Sequence, residues 1–322
     1  MLKILVVIVN FRTPELTIGS LQSLHLEMKS VDADVEVAIV DCASGDQSVE
    51  RIKSCIDDFN SDGRFQILPL SHNNGFAYAN NAAIGLAMNS SSMPDYFWLL
   101  NPDTIVKPGA LVELLQFLTN HPQVGIVGSR LEGEDGKPQR SAFRFPSLLG
   151  ELENGTRFRP VSRLLSRWIV APPVRDEPFC ADWVAGASML VRREVLTEVG
   201  LLDDGYFMYY EEVDFCLRAR KAAWDCWYVP SSRVVHFVGQ SSGVTDLTKP
   251  GKPLPKYWFD SRRRYFQKNH GRFYALGVQI TWAIAYLTWR LRRRVQRKPN
   301  LDPPNLLSDS FRWVFWPLLT GR

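Results

Sequence analysis

Cysteine is scarce in this sequence. Among 322 residues there are only five, Cys42, Cys55, Cys180, Cys216 and Cys226, and no two form a CxxC pair. An odd count without paired spacing argues against a disulfide framework or a thiolate zinc site, and fits a reducing compartment. No GxGxxG follows the first apolar run, where Val9-Asn10-Phe11-Arg12-Thr13-Pro14 stands instead, and no GxxxxGK[ST] occurs. Those absences argue against a dinucleotide dehydrogenase and a P-loop NTPase. Charge of one sign is lacking too: 38 Lys and Arg oppose 34 Asp and Glu, a formal +4. So small an excess gives no footprint for nucleic acid. The N-terminal apolar run, residues 4–9, is too short for a secretory h-region and has no small-residue cleavage site, so it reads as a buried strand. What is present is an ordinary globular balance, 45% hydrophobic and 22% charged, enough to bury a sizeable core.

Apolar runs and helical periods alternate along the first part of the chain. Strands are expected over residues 4–9, 35–40, 65–70, 96–100 and 124–127, with helices over 15–28, 48–59, 75–88 and 110–119. This order predicts an α/β fold with a mostly parallel twisted sheet flanked by helices, and chemistry at the carboxyl ends of the strands. From 131 to 180 no period stands out, which suggests an acceptor-side insertion or an irregular surface connection. A strand over 188–191, helices over 193–199 and 211–222, and two short strands over 227–229 and 234–237 follow. The tail differs in character. Residues 273–289 hold no charge, and Arg290, Arg292, Arg293, Arg294, Arg297 and Lys298 come next. The run is slightly short of the roughly 20 residues of a bilayer span. Its basic edge suits an interfacial or re-entrant helix facing the cytoplasmic side. A second apolar-aromatic piece covers 311–319.

Polar residues recur where strands end: Asn10, Asp41, and Asn101-Pro102-Asp103. Each alone is a common turn or cap residue; together they can line one crevice and hold a nucleotide. Without a phosphate loop, a pyrophosphate needs another counter-charge, and a divalent cation held by oxygen ligands is the simplest. Asn101 and Asp103 either make a turn or supply such ligands to Mg²⁺ or Mn²⁺. Glu211-Glu212-Val213-Asp214 opens a helix, where carboxylates suit the positive end; one glutamate could also serve as a general base. Asp214 could line the acceptor pocket, though it stands four residues before Arg218 and would more naturally pair with it. His236 is either a structural histidine or a third metal ligand. Trp183 either packs in the core or offers its face to an acceptor sugar.

Taken in order, these segments resemble the inverting glycosyltransferases of family 2, with the GT-A fold, and most of all their rhamnosyltransferase-like branch. The likeness runs from about Leu2 to Ser242. Val7-Ile8-Val9-Asn10-Phe11 looks like the opening strand, and Ile39-Val40-Asp41-Cys42-Ala43-Ser44-Gly45-Asp46 resembles VDNxSxD. Asn73-Asn74-Gly75-Phe76-Ala77 with Asn80-Asn81 resembles NxGFxxxxN, and Leu99-Leu100-Asn101-Pro102-Asp103 stands at the metal-binding DxD. Residues 186–193 resemble the GaxxlxrR segment, residues 210–218 resemble EDxDLxxR, and His236 matches a later histidine that completes metal ligation in some members. Cys42, Asn101 and Glu212 depart from the usual Asn, Asp and Asp.

The resemblance implies a GT-A domain over residues 1–245, with a Rossmann-like nucleotide-sugar-binding half (1–130) fused to an acceptor-binding half (131–245). A membrane-associated helical extension over 246–322 would follow. It implies a UDP- or dTDP-sugar donor held by Asn10, Asp41, Asn74, Gly75, Asn101 and Asp103. Asn101, Asp103 and His236 would bind Mg²⁺ or Mn²⁺, Glu211 or Glu212 would be the base, and Trp183 and Asp214 would meet a glycan or lipid-linked acceptor. The setting would be cell-surface polysaccharide synthesis at the cytoplasmic face of a membrane. Two rival readings are a sugar-nucleotide nucleotidyltransferase, which would normally show a Gly-rich basic loop, and a non-catalytic membrane-associated scaffold.

Overall fold

The structure, a computed structural model, describes residues 1–59, 62–237 and 252–321. Its strands are β1 (Lys3–Asn10), β2 (Asp34–Asp41), β3 (Phe65–Pro69), β4 (Tyr96–Leu100), β5 (Thr104–Val106), β6 (Val124–Glu132), β7 (Ala142–Phe143), β8 (Phe179–Ala181), β9 (Trp183–Val184), β10 (Ser188–Arg192) and β11 (Asp225–His236). Its helices are α1 (Pro14–Met28), α2 (Ser48–Asp57), α3 (Phe76–Met88), α4 (Ala110–Asn120), α5 (Leu148–Thr156), α6 (Arg159–Leu164), α7 (Arg193–Val199), α8 (Glu211–Lys221), α9 (Lys256–His270), α10 (Arg272–Val295), α11 (Leu306–Ser310) and α12 (Trp316–Thr320).

The described residues fall into two compact units. The first comprises Met1–Phe143, Pro173–Phe207 and Glu211 to Phe237. Its main sheet runs β3-β2-β1-β4-β10-β6-β11-β5, with β8 on β11. The ladders β3-β2-β1-β4 and β6-β11 are parallel, and β10 lies antiparallel between β4 and β6. Parallel strands covered on both faces need apolar residues throughout, and β1 supplies them. Ile4, Val6 and Ile8 face a core shared with Leu21 and Leu24 of α1, Ile52 of α2 and Leu114 of α4. The alternate residues Leu5, Val7 and Val9 are equally buried, and α3 packs over β1 and β2. Pro14 starts α1 where its missing N–H costs nothing. Buried Glu27 accepts from the backbone N–H groups of Gly109 and Leu111 at 2.7 and 2.8 Å, so a carboxylate on α1 caps α4.

Arg144–Pro172, Met208–Tyr210 and the described residues from 252 on form the second unit. This differs from the expected division. The stretch 131–180 is not irregular: it holds α5 and α6, and α5 packs on α10. Two glycines had hidden α5 from a periodicity argument. Gly155 is one of them; a Cβ there would lie 2.7 Å from that of Ala285, so the helices meet at a distance only glycine allows. Asp302 accepts from Arg157 at 2.6 Å and from the Tyr286 hydroxyl at 2.9 Å within the same unit. The expected boundary at 245/246 lies outside the described residues.

Two further expectations need correction. β6 continues to Glu132, because Arg233 pairs with its carboxylate at 2.6 Å and makes a buried acid tolerable. The two short strands expected near residues 227 and 236 are one, β11, which crosses Pro230 with a register shift between Val229 and Arg233. Helix α9 lies within the helical extension expected over 246–322, where no separate range marks it. Among the described residues no helix is long and apolar enough to cross a membrane.

Candidate active site

Parallel register brings the strand-end residues level. Asn10 pairs with Asp41 across β1 and β2, and Ile8 with Leu100 across β1 and β4. Asn10 is fully buried, and its groups are committed to local structure. Its Nδ2 donates to Asp41 Oδ1 at 2.6 Å, and its Oδ1 accepts from Thr17 Oγ1 at 2.9 Å. These bonds brace β2 against α1. Asp41 also accepts from Ser44, through its backbone N–H at 3.0 Å and its hydroxyl at 2.6 Å. A carboxylate has about four acceptor sites, so three bonds leave capacity for one more donor. Cys42, next in sequence, is buried; that burial first, and the Asp41 charge second, push its thiol up to about 12.

Gly75 opens α3 with φ 96°. A Cβ there would stand 2.0 Å from Phe207 O, and Phe76 N–H donates to that same oxygen at 2.8 Å. Asn81 exchanges two hydrogen bonds with the Leu202 backbone, at 2.7 and 3.1 Å. The glycine–asparagine motif thus docks α3 on the segment that leads into α8. Asn74, expected to touch the donor, is exposed beside it.

Asp103 and His236 are brought together although 133 positions separate them, with Asp103 Oδ1 3.5 Å from His236 Nε2. The β5–β11 ladder causes this: His236 pairs with Thr104, and Phe237 N–H donates to Asp103 O at 3.0 Å. Asn101 is half-buried, and its backbone N–H donates to Ala187 O at 3.0 Å. Among the described residues no group of three or more His, Cys, Asp or Glu could hold a metal ion. A divalent cation bound by one carboxylate, an imidazole and an amide oxygen, with substrate phosphates completing its shell, still fits these residues.

Glu211 and Glu212 begin α8. Burial pushes Glu211 well above the carboxylate range, with the neighbouring Glu212 charge adding to it, and burial lifts Glu212 to about 7. Oε2 of each has no hydrogen-bond partner among the described residues. Gly186 links this helix to the strand ends. A Cβ on it would lie 3.6 Å from Phe76 Cε1 and 4.0 Å from Glu212 Cβ. Its neighbour Ala187 is the residue that binds Asn101. Tyr209 and Tyr210, directly before α8, both adopt left-handed backbone (φ 69° and 70°), which costs about 1–2 kcal/mol per non-glycine residue. Nothing in the identity of a tyrosine announces that conformation, so this pair was not legible in the sequence.

Asp214, expected to meet the acceptor or to pair with Arg218, does pair with Arg218. It is fully buried, accepts from Tyr206 Oη at 3.3 Å and pairs with Arg218 Nε at 3.0 Å. Arg218 in turn donates to Val199 O and to Leu201 O. The ion pair anchors α8. Trp183 stacks on Phe143 with ring centroids 4.1 Å apart.

A family model described as "Glycosyltransferase like family 2" matches residues 3–249. N-acetylglucosaminyl-diphospho-decaprenol L-rhamnosyltransferase of Mycobacterium tuberculosis is 33% identical over 189 residues, 55% of this chain and 60% of that protein. Rhamnosyltransferase WbbL of Escherichia coli is 28% identical over 167 residues, 51% of this chain and 61% of that protein. The chain therefore matches about 60% of the length of these curated relatives. The crystal structure of GalNAc-T7 with UDP, GalNAc and Mn²⁺ superposes with a TM-score of 0.55 at 15% identity, covering 100% of this chain and 58% of that one. At that identity the likeness is one of fold, α/β and GT-A-like.

Asp214→Ala leaves Arg218 without its carboxylate. Breaking a buried pair in this way is expected to lower stability by about 3 kcal/mol, read from denaturant unfolding. An unchanged midpoint together with a raised acceptor KM would instead restore the acceptor role.

Proposed function

The chain belongs to the glycosyltransferase-like family 2 and is a glycosyltransferase, and on that premise we propose that it moves a sugar from a UDP- or dTDP-sugar to a hydroxyl of a glycan or lipid-linked acceptor, with inversion, in cell-surface polysaccharide synthesis. L-Rhamnose is the sugar this reading favours, since two relatives are named rhamnosyltransferases. One of them is named for a diphospho-decaprenol-linked acceptor.

The observation that carries the reading is the approach of Asp103 to His236, 3.5 Å apart. Both belong to the sheet edge where Asn101 is pinned to Ala187, beside the residue that packs near Glu212. Asn101, Asp103 and His236 would hold Mg²⁺ or Mn²⁺, which when bound neutralises charge on the departing nucleotide diphosphate. Asp41 would accept the imide N–H of the pyrimidine. Trp183, backed by Phe143, would present its other face to an acceptor ring.

Glu211 or Glu212 takes the proton from the acceptor hydroxyl. That oxygen bonds to the anomeric carbon as the bond from this carbon to the phosphate oxygen breaks on the opposite face, so configuration inverts. Burial favours this role, because a carboxyl lifted to about 7 is a stronger base than an ordinary one yet still ionises near neutral pH.

Membrane contact at the cytoplasmic face belongs to the C-terminal helices in this reading. Helix α10 exposes Ile280, Ile284, Leu287, Leu291 and Val295 at helical spacing, with Arg294, Arg297 and Lys298 exposed at its basic end. An apolar stripe edged by cations suits an anionic lipid surface.

Asp103→Ala is expected to bring dTDP release from dTDP-L-rhamnose with Mn²⁺ to background while circular dichroism stays unchanged; full release in that variant would refute the metal role. The reaction needs an ionised glutamate, so its rate should be sustained above pH 7 and fall about tenfold per unit as pH drops below it. The stability sign is opposite. A carboxyl raised above its ordinary 4.5 holds its proton more tightly when folded, so its contribution is fullest below 4.5 and is lost as pH rises toward about 7. A rate profile flat from pH 5 to 8 would exclude Glu212 as the base. In flotation assays the protein should rise with vesicles containing anionic lipid, and Ile284→Asp with Leu291→Asp should leave it at the bottom; flotation of the double variant would count against the α10 stripe.

A further inference from the structure

Only three residues separate Phe207 from α8, and they cluster with the C-terminal helices rather than with the sheet. Ser261 of α9 donates from Oγ to Met208 O at 2.9 Å. The Tyr257 ring lies 6.2 Å from that of Tyr209, and the Tyr265 ring 5.4 Å from that of Tyr210. The side chains of Tyr210 and Arg262 are hydrogen-bonded to each other.

Arg262 is itself unusual: it is only 4% exposed. A buried guanidinium persists only when its donors and charge are met. Here Glu151 of α5 pairs with it at 2.9 Å, and Gln279 Oε1 of α10 accepts from it at 2.7 Å. Gln279 in turn donates to Ser310 Oγ at 2.6 Å. Helices α5, α9, α10 and α11 thus converge on one charge, which also holds Tyr210. Tyr209 and Tyr210 sit in left-handed backbone that a tyrosine does not choose, so their surroundings impose it. The next residue along the chain is Glu211.

We propose that this network is a positioning device for the catalytic base. Helix α9 holds Met208–Tyr210 in their left-handed turn, and the turn sets the direction in which Glu211 and Glu212 leave the backbone. Tyr210, Ser261 and Arg262 are positioning residues acting through the glutamates. The inference rests on the assignment of the base among Glu211 and Glu212.

The test measures dTDP release from dTDP-L-rhamnose with Mn²⁺, and dTDP binding by calorimetry, in the full chain. Tyr210→Phe removes one hydroxyl and keeps the ring. It is expected to lower kcat about tenfold with donor KM and dTDP affinity within about twofold, as displacement of a catalytic group does. Ser261→Ala should act in the same direction. Arg262→Met should lower kcat further, and Arg262→Lys, which keeps a charge for Glu151, should recover part of the loss. In whichever background loses the base, Glu211→Gln or Glu212→Gln, Tyr210→Phe should have no additional effect, whereas a purely structural defect would multiply with it. If Arg262→Met does not fold, Tyr210→Phe and Ser261→Ala decide the matter. Unchanged kcat in both, or kcat and dTDP affinity falling together, overturns the proposal. Full activity in both glutamine variants overturns the base assignment and this inference with it, a result distinct from inactive glutamine variants beside a normal Tyr210→Phe.

Discussion

Residues bonded across a parallel ladder stay at one level, and β1 is bonded on both sides. Asn10 is held level with Asp41, and Asn101 leaves β4 just beyond the Ile8–Leu100 pair. Antiparallel β10 then enters from the opposite direction, opposing Ser188 to Leu100, so Gly186 and Ala187 arrive at the same edge. The distant Glu212 lies beside this edge, its Cβ 4.0 Å from where a Cβ on Gly186 would stand. A slip of one residue in β1 would exchange its two buried faces and send the strand-end groups to different levels. The site is therefore a property of register before it is a property of any single side chain.

Strands β1 to β4 were legible to within a residue or two, because strands buried on both faces leave unbroken apolar runs. The gathering of Asn10, Asp41, Asn101 and Asp103 at one edge followed from the rule that a doubly wound sheet works at its carboxyl ends. Legibility failed wherever a polar or small residue was stabilised by a partner far away in sequence. Glu132 ends β6 in an ion pair with Arg233, and Gly155 sits in α5 because α10 comes so close. The buried face of α9 includes Ser261 and Arg262, so no apolar period marks it. The partner of Asp214 was legible, since its i,i+4 relation to Arg218 already named it.

Two kinds of buried acid stand side by side on α8. Asp214 has a guanidinium and a tyrosine hydroxyl, and it serves packing. Glu211, buried, and Glu212, half-buried, have no such partners, and burial raises both carboxyls above the ordinary range, Glu212 to about 7. Three residues and less than one helical turn thus separate an anchor from the proposed base.

The antiparallel insertion of β10 also decides what can be cut from this molecule. All five residues of β4, Tyr96 to Leu100, are buried, and half of their hydrogen-bonding line is taken by β10, about 90 positions away in the chain. A fragment ending near residue 130 would keep β4 and lose its neighbour. It would present a flat aromatic-aliphatic border with unfilled backbone donors, the kind of rim that recruits other chains into aggregates. Strand β4 is completed only after the chain has passed through the α5–α6 excursion and returned as β10.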